Sequence, residues 1–142
     1  MNRLADQEVA PVNFTLDGQT VTAQPQETIL QVAQKSGVDI PHLCYSEGLR
    51  VDGNCRACMV EIEGERVLAP ACCRQPTEGM NVQSTSDKAL RSQSLVLELL
   101  KGEVGPARHS SISELEYWCD NRGLSESRFG GRTQPPVDQS HP

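Results

Sequence analysis

Val12-Asn13-Phe14-Thr15-Leu16 alternates apolar and polar side chains, the period of a half-buried strand. Asp17-Gly18 follows, a dipeptide suited to a tight hairpin turn. Gln19–Ala23 then resumes the alternation, with Val21 and Ala23 on one face. The pattern predicts an N-terminal β-hairpin, ended by Pro25. Thr28 and Gln31 fit a capping box, and Ile29, Leu30, Val32 and Ala33 follow at helical spacing. Lys35 falls in the last turn and Gly37 at the stop position. This predicts a short amphipathic helix packed on the hairpin.

Residues 41–54 are irregular, punctuated by Pro41, Gly48 and Asp52-Gly53. Alternation returns over residues 59–63, with Val60 and Ile62 facing one way. Glu63-Gly64 reads as a turn and Arg66-Val67-Leu68 as the returning arm of a second hairpin. Thr77-Glu78-Gly79 is a further turn, and residues 80–82 a last short strand. Two strands, a helix, a cysteine loop, two strands and another strand suggest an α+β chain of β-grasp type. A second helical pattern covers residues 87–101, carried by Leu90, Val96, Leu97, Leu99 and Leu100 and expected to stop at Gly102. Ser113 and Glu116 fit another capping box; Ile112, Leu115, Trp118 and Cys119 follow at 3/4 spacing, and Gly123 closes that helix. The expected organisation is a loose arm over residues 1–10, a β-grasp domain over 11–86, a helical extension over 87–129 and a Gly-, Pro-, Gln- and Ser-rich tail over 130–142.

Composition narrows the function. The formal net charge is −6 and the isoelectric point about 5.0, which argues against a nucleic-acid binder. Aromatics make up only 4% of 142 residues, so Val, Ile, Leu and Ala must build the core. The longest apolar run, residues 95–100, is broken by Glu98 and falls far short of the roughly 20 residues a membrane helix needs. The first ten residues, MNRLADQEVA, lack the apolar stretch of a secretory signal. A cytoplasmic location is expected, where thiols stay reduced and clustered cysteines bind metal or do redox work.

Five of the six cysteines lie between residues 44 and 73: Cys44, ten residues, Cys55, two residues, Cys58, thirteen residues, Cys72, and Cys73 directly after it. Four thiolates suit either tetrahedral zinc or an iron–sulfur cluster. Structural zinc usually takes two close pairs, and only Cys55 and Cys58 form one here. A cysteine on a long loop, a C-x2-C pair and a distant fourth follow the plant-type ferredoxin order, with a lengthened first gap. A cluster held by four thiolates carries excess negative charge, so backbone N–H groups must point at its sulfurs. Gly53, Asn54, Arg56 and Ala57 surround the close pair and are the expected donors. Cys72 and Cys73 compete for the fourth position. Neighbours in an extended segment face opposite ways, so one of the two ligates and the other is a buried thiol without a role; spacing leaves the choice open. Cys119, on an apolar helix face, reads as a core residue.

The segment IPHLCYSEGLRVDGNCRACMVEIEGERVLAPACCRQPTEGMNV resembles the N-terminal [2Fe–2S] domain of the catalytic subunit of NAD-dependent, molybdenum- or tungsten-containing formate dehydrogenases. It is also similar to the matching domain of the large iron–sulfur subunit of respiratory complex I and of the diaphorase part of NAD-reducing hydrogenases. The resemblance implies a β-grasp ferredoxin fold, one [2Fe–2S] cluster and the ligands Cys44, Cys55, Cys58 and Cys72, the P-x-C placement favouring Cys72 over Cys73. YWCDNRGLSESRF more loosely resembles the connector that precedes further clusters in the formate dehydrogenase subunit. The implied partners are flavin- or iron–sulfur-containing subunits or domains of a redox complex, and a molybdopterin domain. Many relatives carry one histidine and three cysteines for a [4Fe–4S] cluster after the second helix. Here that region holds His109 and later Cys119, so no second cluster is expected. The chain stops where the resembled subunit continues, as a fragment or a small natural protein would, and catalysis on formate is not assigned to it.

Other residues have milder readings. His42 fits a donor beside the cluster or a Rieske-like ligand, but four cysteines already complete a ligand set, which favours a partly exposed loop histidine. Arg56 suits tuning of the cluster, a partner contact or plain solvation. Tyr45 reads as packing, Tyr117 and Trp118 as anchors of the last helix, and His109 and His141 as exposed. The function expected is electron transfer. A zinc-stabilised β-grasp interaction module and a thiol-based redox sensor are the competing readings. Residues 41–54 hold few apolar side chains, so bound metal is expected to supply much of their order.

Overall fold

The computed structural model describes residues 10–104 and 113–130. Strands β1 (Val12–Leu16) and β2 (Gln19–Ala23) form the predicted antiparallel hairpin. Asp17 and Gly18 both take positive φ, 48° and 82°, the twist that a two-residue hairpin turn requires. Asp17 also works at long range: its carboxylate accepts from the backbone N–H of Ser84 at 2.7 Å. That bond fastens the turn to the end of β5 (Asn81–Gln83), which pairs parallel to β1. β3 (Met59–Ile62) lies antiparallel to β5 and to the two-residue β4 (Ala69–Pro70). The sheet order is β2-β1-β5-β3-β4, with the sheet and α1 (Ile29–Lys35) enclosing one α+β core.

Phe14, Leu16, Ile29, Leu30, Val32, Ile40, Val60, Ile62 and Val82 fill that core, all essentially shielded from water. Thr28 caps α1 as expected. Its hydroxyl accepts from the Gln31 N–H, and the Gln31 side chain returns the bond to the Thr28 N–H. The first N–H groups of α1 have a second use. Ile29 N–H donates to Arg74 O and Leu30 N–H to Ala71 O, both at 2.9 Å. Donors that a helix start leaves unsatisfied therefore hold the 71–74 segment, which carries Cys72 and Cys73.

Two expectations about element boundaries are corrected. The returning strand after β3 is not Arg66-Val67-Leu68 but β4, which begins at Ala69 directly after it. The turn closes with Glu65 N–H donating to Ile62 O at 3.0 Å, and a Glu65–Arg74 ion pair braces the wider loop, leaving Val67 69% exposed. Nor does Gly102 stop the second helix: α2 runs Asp87–Val104. Gly102 is buried because residues 127–129 cross the helix there. A Cβ at this site would lie 2.9 Å from Ser127 Oγ.

The buried face of α2 also departs from its leucine pattern. Ala89, Gln93, Leu97, Glu98 and Gly102 face inward, while Leu95 and Leu99 are 40% and 44% exposed. Gln93 Nε2 donates to Met59 O at 2.9 Å and Ser84 O at 3.1 Å, and Gln93 Oε1 accepts from Arg122 Nη2 at 2.7 Å. Glu98 accepts from the backbone N–H and guanidinium of Arg128 at 2.8–2.9 Å. The Gln93 bonds to Met59 O and Ser84 O dock α2 on the sheet, while the Arg122 and Arg128 bonds tie the residues after α2 back to it.

Ser113 Oγ accepts from Glu116 N–H at the start of α3 (Glu114–Asn121), and Gly123 ends it at φ 68°. Ile112, His109 and His141 lie outside the described residues. Leu97, Trp118 and Cys119 form a second apolar cluster with Ala57, edged by Leu43, Cys55, Val96, Leu115 and Leu124. Three of these, Leu43, Cys55 and Ala57, come from the cysteine loop. Among the described residues no helix is long and apolar enough to cross a membrane.

Candidate metal centre

The chain between α1 and β3 curls back on itself at two left-handed residues, Gly53 (φ 65°) and Arg56 (φ 59°). Glycine tolerates this conformation; arginine adopts it at a cost of about 1 kcal/mol, strain of a kind that concentrates at functional sites. The curl turns backbone N–H groups inward. Those of Gly53, Asn54 and Cys55 bond to the Cys44 sulfur. Burial pushes the Cys44 thiol up, but those backbone bonds and one from the Cys55 thiol together bring it below its ordinary value. This is the cradle of donors that a multiply charged sulfur cluster requires.

Cys58, at the entry to β3, is buried and accepts from the Cys72 N–H at 3.4 Å. Burial pushes its thiol up, and the neighbouring Cys55 and Cys44 sulfurs add repulsion. The Cys72 thiol is driven far up by burial, then by Cys58 and Cys73. The fold thus brings all four predicted ligands together as two pairs: half-buried Cys44 with Cys55, and buried Cys58 with Cys72. Among the described residues no three Cys, His, Asp or Glu side chains converge on one point as a single-ion site demands. Buried thiols this close resist ionising together; a cationic centre among them reverses that preference. Two thiol pairs under converging N–H groups fit a two-iron cluster.

Cys73 differs from expectation. The reading of a buried leftover assumed an extended chain, but residues 71–73 form a turn, with Cys73 N–H donating to Pro70 O at 3.1 Å. Successive side chains need not oppose each other in a turn. The Cys73 sulfur is exposed and lies 3.5 Å from that of Cys72.

The surrounding residues settle into packing roles. His42 is the partly exposed loop histidine expected, but an ordered one: Nδ1 lies 2.8 Å from Ile40 O and donates to it in the tautomer this bond requires, and its ring stands 5.6 Å from Trp118 and 6.0 Å from Tyr45. Tyr45 OH accepts from Gln31 Nε2 at 3.3 Å, tying the loop to α1. Trp118 anchors α3 as expected, but its cover is the cysteine loop. Cys119 is fully buried in the second cluster, its sulfur 3.9 Å from Leu97 O, and burial pushes its thiol up. The part played by Leu43 and Ala57 was missed from the sequence. The one available signal was that the apolar face of α3 needed a cover.

A small mixed sheet with one helix across it and a four-thiol centre at one end defines a ferredoxin-like iron–sulfur domain. Residues 9–87, more than half the chain, match the family described as the 2Fe-2S iron-sulfur cluster binding domain. The chain belongs to that family, and a [2Fe–2S] cluster is its cofactor. Over 129 residues it is 35% identical to the NADP-reducing hydrogenase subunit HndD of Solidesulfovibrio fructosivorans, covering 84% of this chain and 22% of that subunit. It is 33% identical over 96 residues to the mitochondrial NADH-ubiquinone oxidoreductase 78 kDa subunit of Candida albicans, covering 68% of this chain and 13% of the other. The crystal structure of an NAD+-reducing [NiFe]-hydrogenase in the H2-reduced state aligns with 92% of this chain and 57% of its own, at TM-score 0.77 and 30% identity. The chain therefore spans a minor part of the two curated relatives.

Proposed function

We propose that this chain relays electrons, one at a time, within a multi-subunit NADH- or NADPH-linked oxidoreductase, through a [2Fe–2S] cluster held by Cys44, Cys55, Cys58 and Cys72. The carrying observation is the pairing of four thiols: Cys44 with Cys55, where the N–H groups of Gly53, Asn54 and Cys55 serve the Cys44 sulfur, and Cys58 with Cys72, where Cys72 N–H serves the Cys58 sulfur. The bound cluster supplies reversible one-electron chemistry. The protein supplies the rest. The curled loop neutralises sulfur charge on the Cys44 side, and the core shields the Cys58 and Cys72 side. The half-buried Cys44 and Cys55 face the surface, where an electron enters or leaves. The partners on this reading are other flavin- or iron–sulfur-bearing subunits, and the location is cytoplasmic.

The complex served is a finer question. Similarity to YWCDNRGLSESRF favours a molybdopterin-containing formate dehydrogenase, in which this module would stand between the formate site and the nicotinamide cofactor.

Purified protein tests the reading. Brown colour, broad visible bands bleached by dithionite, and an EPR signal from one reduced centre are expected. Cys55→Ser should lose all three. A colourless protein with stoichiometric zinc, or an unaltered Cys55→Ser spectrum, would sink the assignment.

A further inference from the structure

We propose that the fourth ligand position of the cluster is redundant: Cys73 is a reserve ligand, able to take the iron bond of Cys72. The inference rests on the ligand set proposed above. The two sulfurs are 3.5 Å apart. In a tetrahedral thiolate site with metal–sulfur bonds of about 2.3 Å, two sulfurs on one metal lie about 3.8 Å apart. Cys73 therefore lies no farther from Cys72 than two thiolates on one metal lie from each other, near enough to reach the position Cys72 would vacate.

Its other contact places it on the rim of the centre. The Cys73 sulfur packs over Gly53, where an added Cβ would approach it to 2.5 Å. The N–H of that same Gly53 points at the Cys44 sulfur. Cys73 thus touches the donor cradle from outside while Cys72 faces it from within.

The backbone permits the exchange. Rotation between staggered χ1 wells moves a cysteine sulfur by about 3 Å, close to the separation of the two thiols. The turn itself is held by Ile29 and Leu30 N–H, so neither strand nor helix must shift. In the exchange Cys73 gives its proton to solvent and bonds iron through sulfur. The Cys72 sulfur leaves the iron and takes up a proton, so charge and oxidation state are unchanged. Cys58 has no cysteine neighbour in sequence outside the ligand set, and Cys119 is buried in the second apolar cluster, so Cys58 is the control position.

Wild type and three variants of the full chain, purified anaerobically, test this by iron content, visible absorption and EPR. Wild type should hold about two irons per chain. Cys58→Ala should hold none. Cys72→Ala should keep the iron with shifted visible bands, and in it Cys73 should become protected from iodoacetamide, as read by mass spectrometry. Cys72→Ala/Cys73→Ala should lose the iron. Loss of iron in Cys72→Ala, or alkylation of Cys73 at the wild-type rate, overturns the proposal. Should the cavity left by alanine prevent folding, Cys72→Ser replaces it. Adding Cys73→Ala to Cys72→Ser must then change the bands, and an unchanged spectrum overturns the proposal equally. Iron-free wild type would instead reject the cluster assignment itself.

Discussion

The imidazole of His42 stands 5.6 Å from the indole of Trp118, across the boundary between the cysteine loop and α3. With Leu43, Cys55 and Ala57 packed into the same apolar cluster, this contact makes the helical extension part of the metal centre's support. The loop does not rely on metal alone for its order. Trp118→Ala should cost about 3–5 kcal/mol, as aromatic truncations in cores do, and should speed loss of visible absorbance to an iron chelator. Bleaching at the wild-type rate would show that α3 does not brace the loop.

Gln93 joins three elements through one amide: Met59 and Ser84 accept from it, and Arg122 donates to it. Gln93→Leu leaves the buried Ser84 carbonyl, the part-buried Met59 carbonyl and a guanidinium short of a partner, the buried one worth about 1–3 kcal/mol and the others less. Burial already pulls the Arg122 guanidinium below its ordinary value, offset in part by Asp39. A double-mutant cycle with Arg122→Met, read from thermal midpoints, should show coupling of about 0.5–3 kcal/mol. Simple additivity would mean that the bond carries no weight.

Gly53 is required twice, by its φ of 65° and by the Cys73 sulfur above it. Gly53→Ala should lower cluster occupancy. Adding Cys73→Ala should recover part of it, since the clash goes while the backbone strain of about 1 kcal/mol stays. Full recovery would assign the whole effect to the clash, and no recovery would assign it to backbone strain.

Arg56 is the converse case, a side chain in the left-handed region and exposed to solvent. Arg56→Gly should keep the cluster and relieve about 1 kcal/mol of strain, offset in part by added freedom of the unfolded chain. Loss of the visible bands in this variant would instead give the guanidinium a direct part in holding the centre.

Arg128 hydrogen bonds hold the Glu98 carboxyl at about 2, against an ordinary 4.5. A depressed folded-state value means that the ionised form stabilises the fold. That contribution is complete above the ordinary value and declines as pH falls from there toward about 2. Glu98→Gln should therefore melt below wild type near neutral pH, and the gap should narrow in acid. A gap that is constant with pH would leave the ion pair without a stabilising role.

Much of the molecule was legible in local chemistry. Alternation set β1 and β2, Asp17-Gly18 their turn, and Thr28 with Gln31 the start of α1, because these signals act within a few residues. The close pair Cys55 and Cys58 with Cys44 on a long loop pointed to an iron–sulfur order, because a loop and a close thiol pair are local geometry; the [2Fe–2S] identity and the preference for Cys72 over Cys73 came from the family resemblance, not from spacing. Non-local contacts decided the rest. Gly102 is buried inside a helix, where Ser127 crosses so close that a side chain would not fit. Gln93 and Glu98 are buried because partners from β3, Ser84, Arg122 and Arg128 arrive to satisfy them. Cys73 faces its neighbour because α1 donates to the chain on either side of it and holds a turn where an extended segment was expected. Hydrophobic period reports which residues prefer burial; only the assembled fold says which polar groups find partners inside it.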